Sequence, residues 1–284
     1  MKKVVTFGEV MVRLAPSEHD RFAQSCPGSM DLTFGGAESS VAASISMLGG
    51  SSRFVSALPQ HAIADAFVRQ MRGFKVDVDH VLRREAGRFG IYYVETGANQ
   101  RPSRVIYDRD YSAVSICSGE EYDWDAIFAD AQWLHISGIT LAISETAANA
   151  AILAAGKAQA AGVKVSCDLN FRKNLWRWRS GSDARSLARS VMPDFLENVN
   201  VIIGNEEDAA DVLDIHAGDT DVHSGSLEIA HYPDVARQIA HRFNNVDQVA
   251  ITLRESISAT HNNWGAMLFD VCSDTAVFAP MNGE

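Results

Sequence analysis

The chain of 284 residues is 46% hydrophobic and carries 25 lysines and arginines against 36 aspartates and glutamates, a formal net charge of -11. A chain of this length buries about three quarters of the surface its unfolded form exposes, enough for one large α/β core. So acidic a surface excludes a general nucleic-acid or anionic-membrane binder, and it makes any local group of arginines informative.

The first buried strand is expected over Lys3 to Phe7, followed by a glycine-initiated helix over Gly35 to Gly49 whose Ala42, Ala43, Ser44 and Ser46 permit close packing on a sheet. A strand at Arg53 to Ala57 and a helix at Ala62 to Met71 come next. After a polar, strand-rich region the pattern resumes as strand Trp133 to Ile136, helix Ser144 to Ala161, strand Val163 to Cys167, helix Ser182 to Met192, strand Val199 to Ile203 and helix Asn205 to Leu213. Alternation of this kind predicts a parallel sheet with helices on both faces. Within the interruption, Phe89 to Glu95 and Arg104 to Arg109 are β-prone runs joined by a Gly/Asn/Pro turn, which reads as a hairpin. With Val10 to Ala15 and Met30 to Phe34 it forms a small antiparallel sheet over the main domain, a lid. Residues 215 to 232 read as a surface excursion before a helix around Pro233 to Phe243, and three consecutive strands close the chain at Val249 to Leu253, Gly265 to Phe269 and Ala276 to Ala279.

Two polar clusters sit where an open α/β sheet binds ligands, at the carboxyl ends of strands. Asp168-Leu-Asn-Phe-Arg172 follows one apolar run and Gly204-Asn-Glu-Glu-Asp208 follows the next. Asp168, Asn170, Asn205, Glu206, Glu207 and Asp208 together suit magnesium held through water beside phosphates, because that ion takes few protein carboxylates, and Glu206 and Glu207 equally suit a helix first turn. Helix capping explains Asn205 equally well. Gly35-Gly36 opens a helix and admits a ligand to backbone N–H groups, or provides only a tight turn; it lacks the G-x-G-x-x-G spacing of dinucleotide folds. Arg109 and Arg172 suit a bidentate clamp on a carboxylate or phosphate, while each alone is an ordinary surface charge. Tyr92 and Tyr107, on facing strands of the hairpin, suit covering a polyol, or packing. Cys26, Cys117, Cys167 and Cys272 are widely spaced, as expected of reduced thiols in a cytoplasmic protein. No apolar run reaches the roughly 20 residues that span a bilayer.

In their joint order, Val5-Thr-Phe-Gly-Glu9, Gly35-Gly-Ala-Glu38, Gly90-Ile-Tyr92, Val105-Ile-Tyr-Asp-Arg109, Leu134-His-Ile-Ser-Gly-Ile139, Asp168-Leu-Asn-Phe-Arg172 and Gly204-Asn-Glu-Glu-Asp208 resemble the ribokinase-like (PfkB) family of carbohydrate kinases over nearly the whole chain. Within it the likeness is to members acting on 2-keto-3-deoxygluconate. The resemblance implies one α/β domain, a doubly wound, mostly parallel sheet with a β-sheet lid. It also implies transfer of the ATP γ-phosphoryl, with Mg²⁺, to a small sugar acid, giving 2-keto-3-deoxy-6-phosphogluconate. By the matched motifs, Gly35, Gly36, Ser40, Tyr92, Tyr107, Arg109, Ile139 and Arg172 line the sugar-acid site, with Arg109 and Arg172 toward the carboxylate and keto group. Asn170, Asn205 and Arg254 fall on the nucleotide side, and Asp168 and Asp208 on the metal. A homo-oligomer through the lid is compatible with this fold.

Three departures stand out. Ser40 replaces an asparagine usual in such kinases, the phosphate-side motif ends in Asp208 rather than a glutamate, and the Gly-Ala-Gly-Asp run that supplies an oxyanion hole and base is absent. The expectation is a catalytic tail beyond Glu284. The alternatives are a family kinase for fructose or a related ketose, and a non-catalytic sugar-acid sensor if the chain ends there.

Overall fold

The structure, a computed structural model, describes residues 2–216, 231–258 and 261–279, without the side chains of Glu206 and of residues 254–258. In chain order the elements are β1 (Lys3–Phe7), β2 (Met11–Ala15), α1 (Phe22–Ser25), β3 (Asp31–Gly35), α2 (Ala37–Met47), β4 (Ser52–Val55), β5 (Ala57–Pro59), α3 (Ala62–Gly73) and β6 (Leu82–Arg84). The hairpin follows as β7 (Gly90–Glu95) and β8 (Arg104–Asp108), then α4 (Trp124–Phe128), β9 (Ala131–Ser137), α5 (Gly138–Ala142), α6 (Glu145–Ala160), β10 (Lys164–Asp168) and α7 (Ala184–Leu196). The described chain closes with β11 (Val201–Gly204), α8 (Glu206–Leu213), α9 (Tyr232–Arg242), β12 (Gln248–Ser258), β13 (His261–Asp270) and β14 (Thr275–Ala279).

An eight-stranded sheet runs in the order β14-β13-β12-β11-β10-β9-β1-β4. Its strands from β4 to β12 are parallel, and β13 and β14 extend it as an antiparallel meander. The parallel strands read as continuous apolar runs because helices cover both faces. Val5, Phe7, Leu134, Ile136, Val165, Cys167 and Ile202 are buried in one large cluster with Leu187, Phe195 and Ile239 from the helices. Helix α6 lies close to the sheet because its inward face is alanine: Ala147, Ala148, Ala151, Ala154, Ala155 and Ala158 are all buried. Strand β1 lies between β4 and β9, so the chain leaves it toward opposite edges and a crevice opens at the carboxyl ends.

The lid is a four-stranded sheet ordered β3-β2-β7-β8. Its outer pairs are antiparallel, as the hairpin signal requires, while the central β2–β7 pair is parallel. One lid face carries Val12, Phe34 and Ile91 into a second apolar cluster with Phe54, Phe67, Met71 and Phe89. That cluster fastens the lid to α3 and β4. Among the described residues no helix is long and apolar enough to cross a membrane.

Candidate active site

The sugar-side residues gather around the lid and the start of α2. Gly35 ends β3 and Gly36 is the N-cap of α2. Tyr92 and Tyr107 are direct cross-strand partners, with ring centroids 6.3 Å apart. A Cβ on Gly35 would collide with the Tyr92 hydroxyl, so the absence of a side chain lets this tyrosine close on the helix start. Burial holds the Tyr92 phenol above its usual pKa against the lowering effect of Arg13, so the hydroxyl stays protonated. Ser40 is exposed on α2, and Ile139 is half-buried at the start of α5.

Arg109 is 7% exposed and forms an ion pair with Glu9, itself 3% exposed, and its guanidinium lies 5.6 Å from the Tyr107 ring centroid. The surface-charge reading therefore fails for Arg109, whereas Arg172 is exposed. A buried guanidinium must bring its own counter-charge, and Glu9 supplies it from the end of β1. The two arginines proposed as one clamp are engaged separately: Arg109 by Glu9, Arg172 electrostatically by Asp168 and Asp208.

The α2 and β9 corners are joined by a carboxylate that sequence reasoning left unassigned. Glu38 is 1% exposed, and its Oε1 accepts from Ser137 N–H at 2.9 Å, the Ser137 hydroxyl at 2.7 Å and the Thr140 hydroxyl at 3.0 Å. Burial nevertheless pushes its pKa up. These bonds fix Gly36 on one side and Ile139 on the other. A glutamate in the first turn of a helix that begins at a strand edge was the available signal.

The phosphate-side groups converge as their strand positions predict. Ser137, Asp168 and Ile203 are neighbours across β9, β10 and β11. Gly138 is needed there, since a Cβ would collide with the Leu169 carbonyl. Asn170 adopts φ 38°, a left-handed turn that asparagine tolerates. Asn205 is the N-cap of α8, and its side chain accepts from Asp208 N–H at 2.7 Å while Asp208 accepts from Asn205 N–H at 3.2 Å, a reciprocal capping box. The other Asp208 oxygen accepts from Phe171 N–H at 2.9 Å and so ties the two loops together. Arg254 lies on β12 beside Trp264; its side chain is outside the described residues.

Burial, then the neighbouring Asp208 and Glu38 charges, raise the Asp168 pKa to about 6. Burial also raises Asp208. Among the described residues no group of three or more His, Cys, Asp or Glu side chains is arranged to hold a metal ion. The chemistry of the pair suits a hydrated magnesium ion nonetheless: the ion needs few carboxylates, and neighbouring carboxylates that raise one another's pKa without a full counter-charge would gain from a cation.

Residues 1–253 match the sequence profile of the pfkB family of carbohydrate kinases. The chain belongs to that family. Among solved PfkB-related structures, the 2-dehydro-3-deoxygluconokinase of Thermotoga maritima is 40% identical, with a TM-score of 0.87 over 98% of this chain and 79% of that one. The 2-dehydro-3-deoxygalactonokinase of Haloferax volcanii is 37% identical over 75% of this chain and 64% of its own length. The fructokinase of Salmonella typhimurium is 29% identical over 72% of this chain and 61% of its own. The chain thus spans less than two thirds of the length of these curated relatives.

Proposed function

We propose that the protein transfers the γ-phosphoryl of ATP to the terminal hydroxyl of 2-keto-3-deoxygluconate. The reading is supported by two groups of residues, one around the lid and the α2 and α5 starts (Gly35, Gly36, Tyr92, Tyr107, Arg109, Ile139) and one at the carboxyl ends of β10 and β11 (Asp168, Asn170, Arg172, Asn205, Asp208), with Glu38 on α2 bonded to Ser137 at the end of β9 and to Thr140 on α5. Lid tyrosines cover the sugar and exclude water. Arg109 and Arg172 donate to its keto and carboxylate oxygens, and of these a neutral ketose lacks the carboxylate. Phosphoryl transfer is chiefly positioning and charge stabilisation. Glu38 holds the sugar-side corners in register, and the Asp208 bridge holds the phosphate-side loops. Asp168 and Asp208 would hold Mg²⁺ through water, and the ion would there neutralise the phosphate oxygens. In the transfer the bond from the γ-phosphorus to its bridging oxygen breaks, a bond to the sugar oxygen forms, and the hydroxyl proton leaves. The 284 residues contain no Gly-Ala-Gly-Asp run, so the acceptor of that proton is not assigned among them.

A second reading, the galactonate epimer, draws support from the Haloferax volcanii relative. The two acids differ only at C4 and present the same carboxylate and keto group. Coupled ADP release with both acids, gluconate, fructose and ribose tests the proposal. Turnover on one or both keto-deoxy acids and none on fructose is expected; turnover on fructose alone would replace the sugar-acid reading with a ketose one.

A further inference from the structure

One line of cross-strand partners runs across the whole lid: Thr33 on β3, Arg13 on β2, Tyr92 on β7 and Tyr107 on β8. Direct partners leave the same face of a sheet, so Arg13 shares its face with both tyrosines. The next line on that face holds Gly35, Met11 and Gly90. The opposite face is spent on the apolar cluster of Val12, Phe34 and Ile91. Arg13 therefore lies among the sugar-side residues, although no motif singles it out.

The two arginines beside the lid tyrosines, Arg13 and Arg109, differ in how their charge is met. Arg109 is buried and paired with Glu9. Arg13 is half-buried and forms no ion pair among the described residues, and its charge acts instead on the Tyr92 hydroxyl. A guanidinium flanked by neutral hydroxyls keeps its fork free for a planar anion. A protein of net charge -11 repels an anionic ligand at long range, and an uncompensated cation offsets this within a screening length of about 8 Å.

We propose that Arg13 is a specificity-determining residue of the sugar site, an uncompensated cation on the tyrosine face of the lid that selects a carboxylated sugar over a neutral one by pairing with the substrate carboxylate. This rests on reading the site as one for a sugar acid. The test is calorimetric binding of 2-keto-3-deoxygluconate and of fructose to the wild type, Arg13→Gln and Arg13→Lys. The wild type should prefer the acid. Arg13→Gln should weaken the acid about tenfold or more and leave fructose within about twofold. Arg13→Lys keeps the charge without the fork, so it should lose less, and it carries the test if the glutamine variant folds poorly. An acid-preferring wild type whose preference survives both substitutions overturns the role of Arg13 and leaves the sugar-acid reading standing. A wild type that binds fructose as tightly as the acid overturns that reading, and this proposal with it.

Discussion

Replacing Glu9 by glutamine would strand the Arg109 guanidinium. Both groups are almost fully enclosed, at 3% and 7% exposure, and among the described residues Glu9 is the carboxylate that forms an ion pair with Arg109. Removing one partner of a buried pair costs about 3–5 kcal/mol, because the remaining charge loses its partner without regaining water. With an unfolding entropy near 2.1 cal/mol/K per residue, a chain of 284 residues loses about 5–8 °C of Tm for that cost. The double variant Glu9→Gln/Arg109→Met removes the charge as well as its partner, so it should recover most of the loss. The assay is a double-mutant cycle by thermal and urea unfolding. A fall below about 1 °C for Glu9→Gln, or a double variant whose loss is the sum of the two singles, would refute the argument that burial makes these charges interdependent.

Gly138→Ala should destabilise by about 1–3 kcal/mol, because the added methyl meets the Leu169 backbone rather than a movable side chain; urea unfolding reads it. His135, buried against Ser166 Oγ, has its pKa lowered from 6.5 to about 4, mainly by burial. The unfolded chain then binds that proton more readily than the folded one, so stability is lost as pH falls from 6.5 through 4, by about 3 kcal/mol in all. Unfolding free energies at pH 7 and pH 4.5 should differ less in His135→Gln than in the wild type.

What could be read from the sequence was whatever one segment carries by itself. The position of Asp168, Asn205 and Asp208 at one sheet edge is legible because each follows an apolar run that ends at a polar cluster, and strand direction alone places such clusters there. The lid hairpin was found because Tyr92 and Tyr107 sit in β-prone runs either side of a turn. Pairings between distant segments left no such mark. Glu9 is 100 positions from Arg109 and Glu38 is 99 from Ser137, and nothing local announces either partner. The place of Arg13 beside Tyr92 is equally unmarked in the sequence, since it depends on the parallel β2–β7 register. Helices α4 and α5 have five residues each, too few to form without tertiary packing, and their apolar residues read equally well as loop or strand.

The four acidic groups of the site are met in four different ways, and the differences assign their roles. Glu9 has the Arg109 guanidinium, Glu38 has three donors on the β9–α5 corner, and Asp208 has one backbone N–H on each oxygen. These three are spent on joining segments. Asp168 is opposed by Asp208 and Glu38 and relieved only by a backbone bond at Asn170 and the exposed Arg172, which is why its pKa reaches about 6. A purely structural role would have been filled better by asparagine at that position. A carboxylate kept partly unsatisfied between two polar loops gains most when a cation arrives, and this supports the proposal that Asp168, with Asp208 beside it, would hold the metal through water.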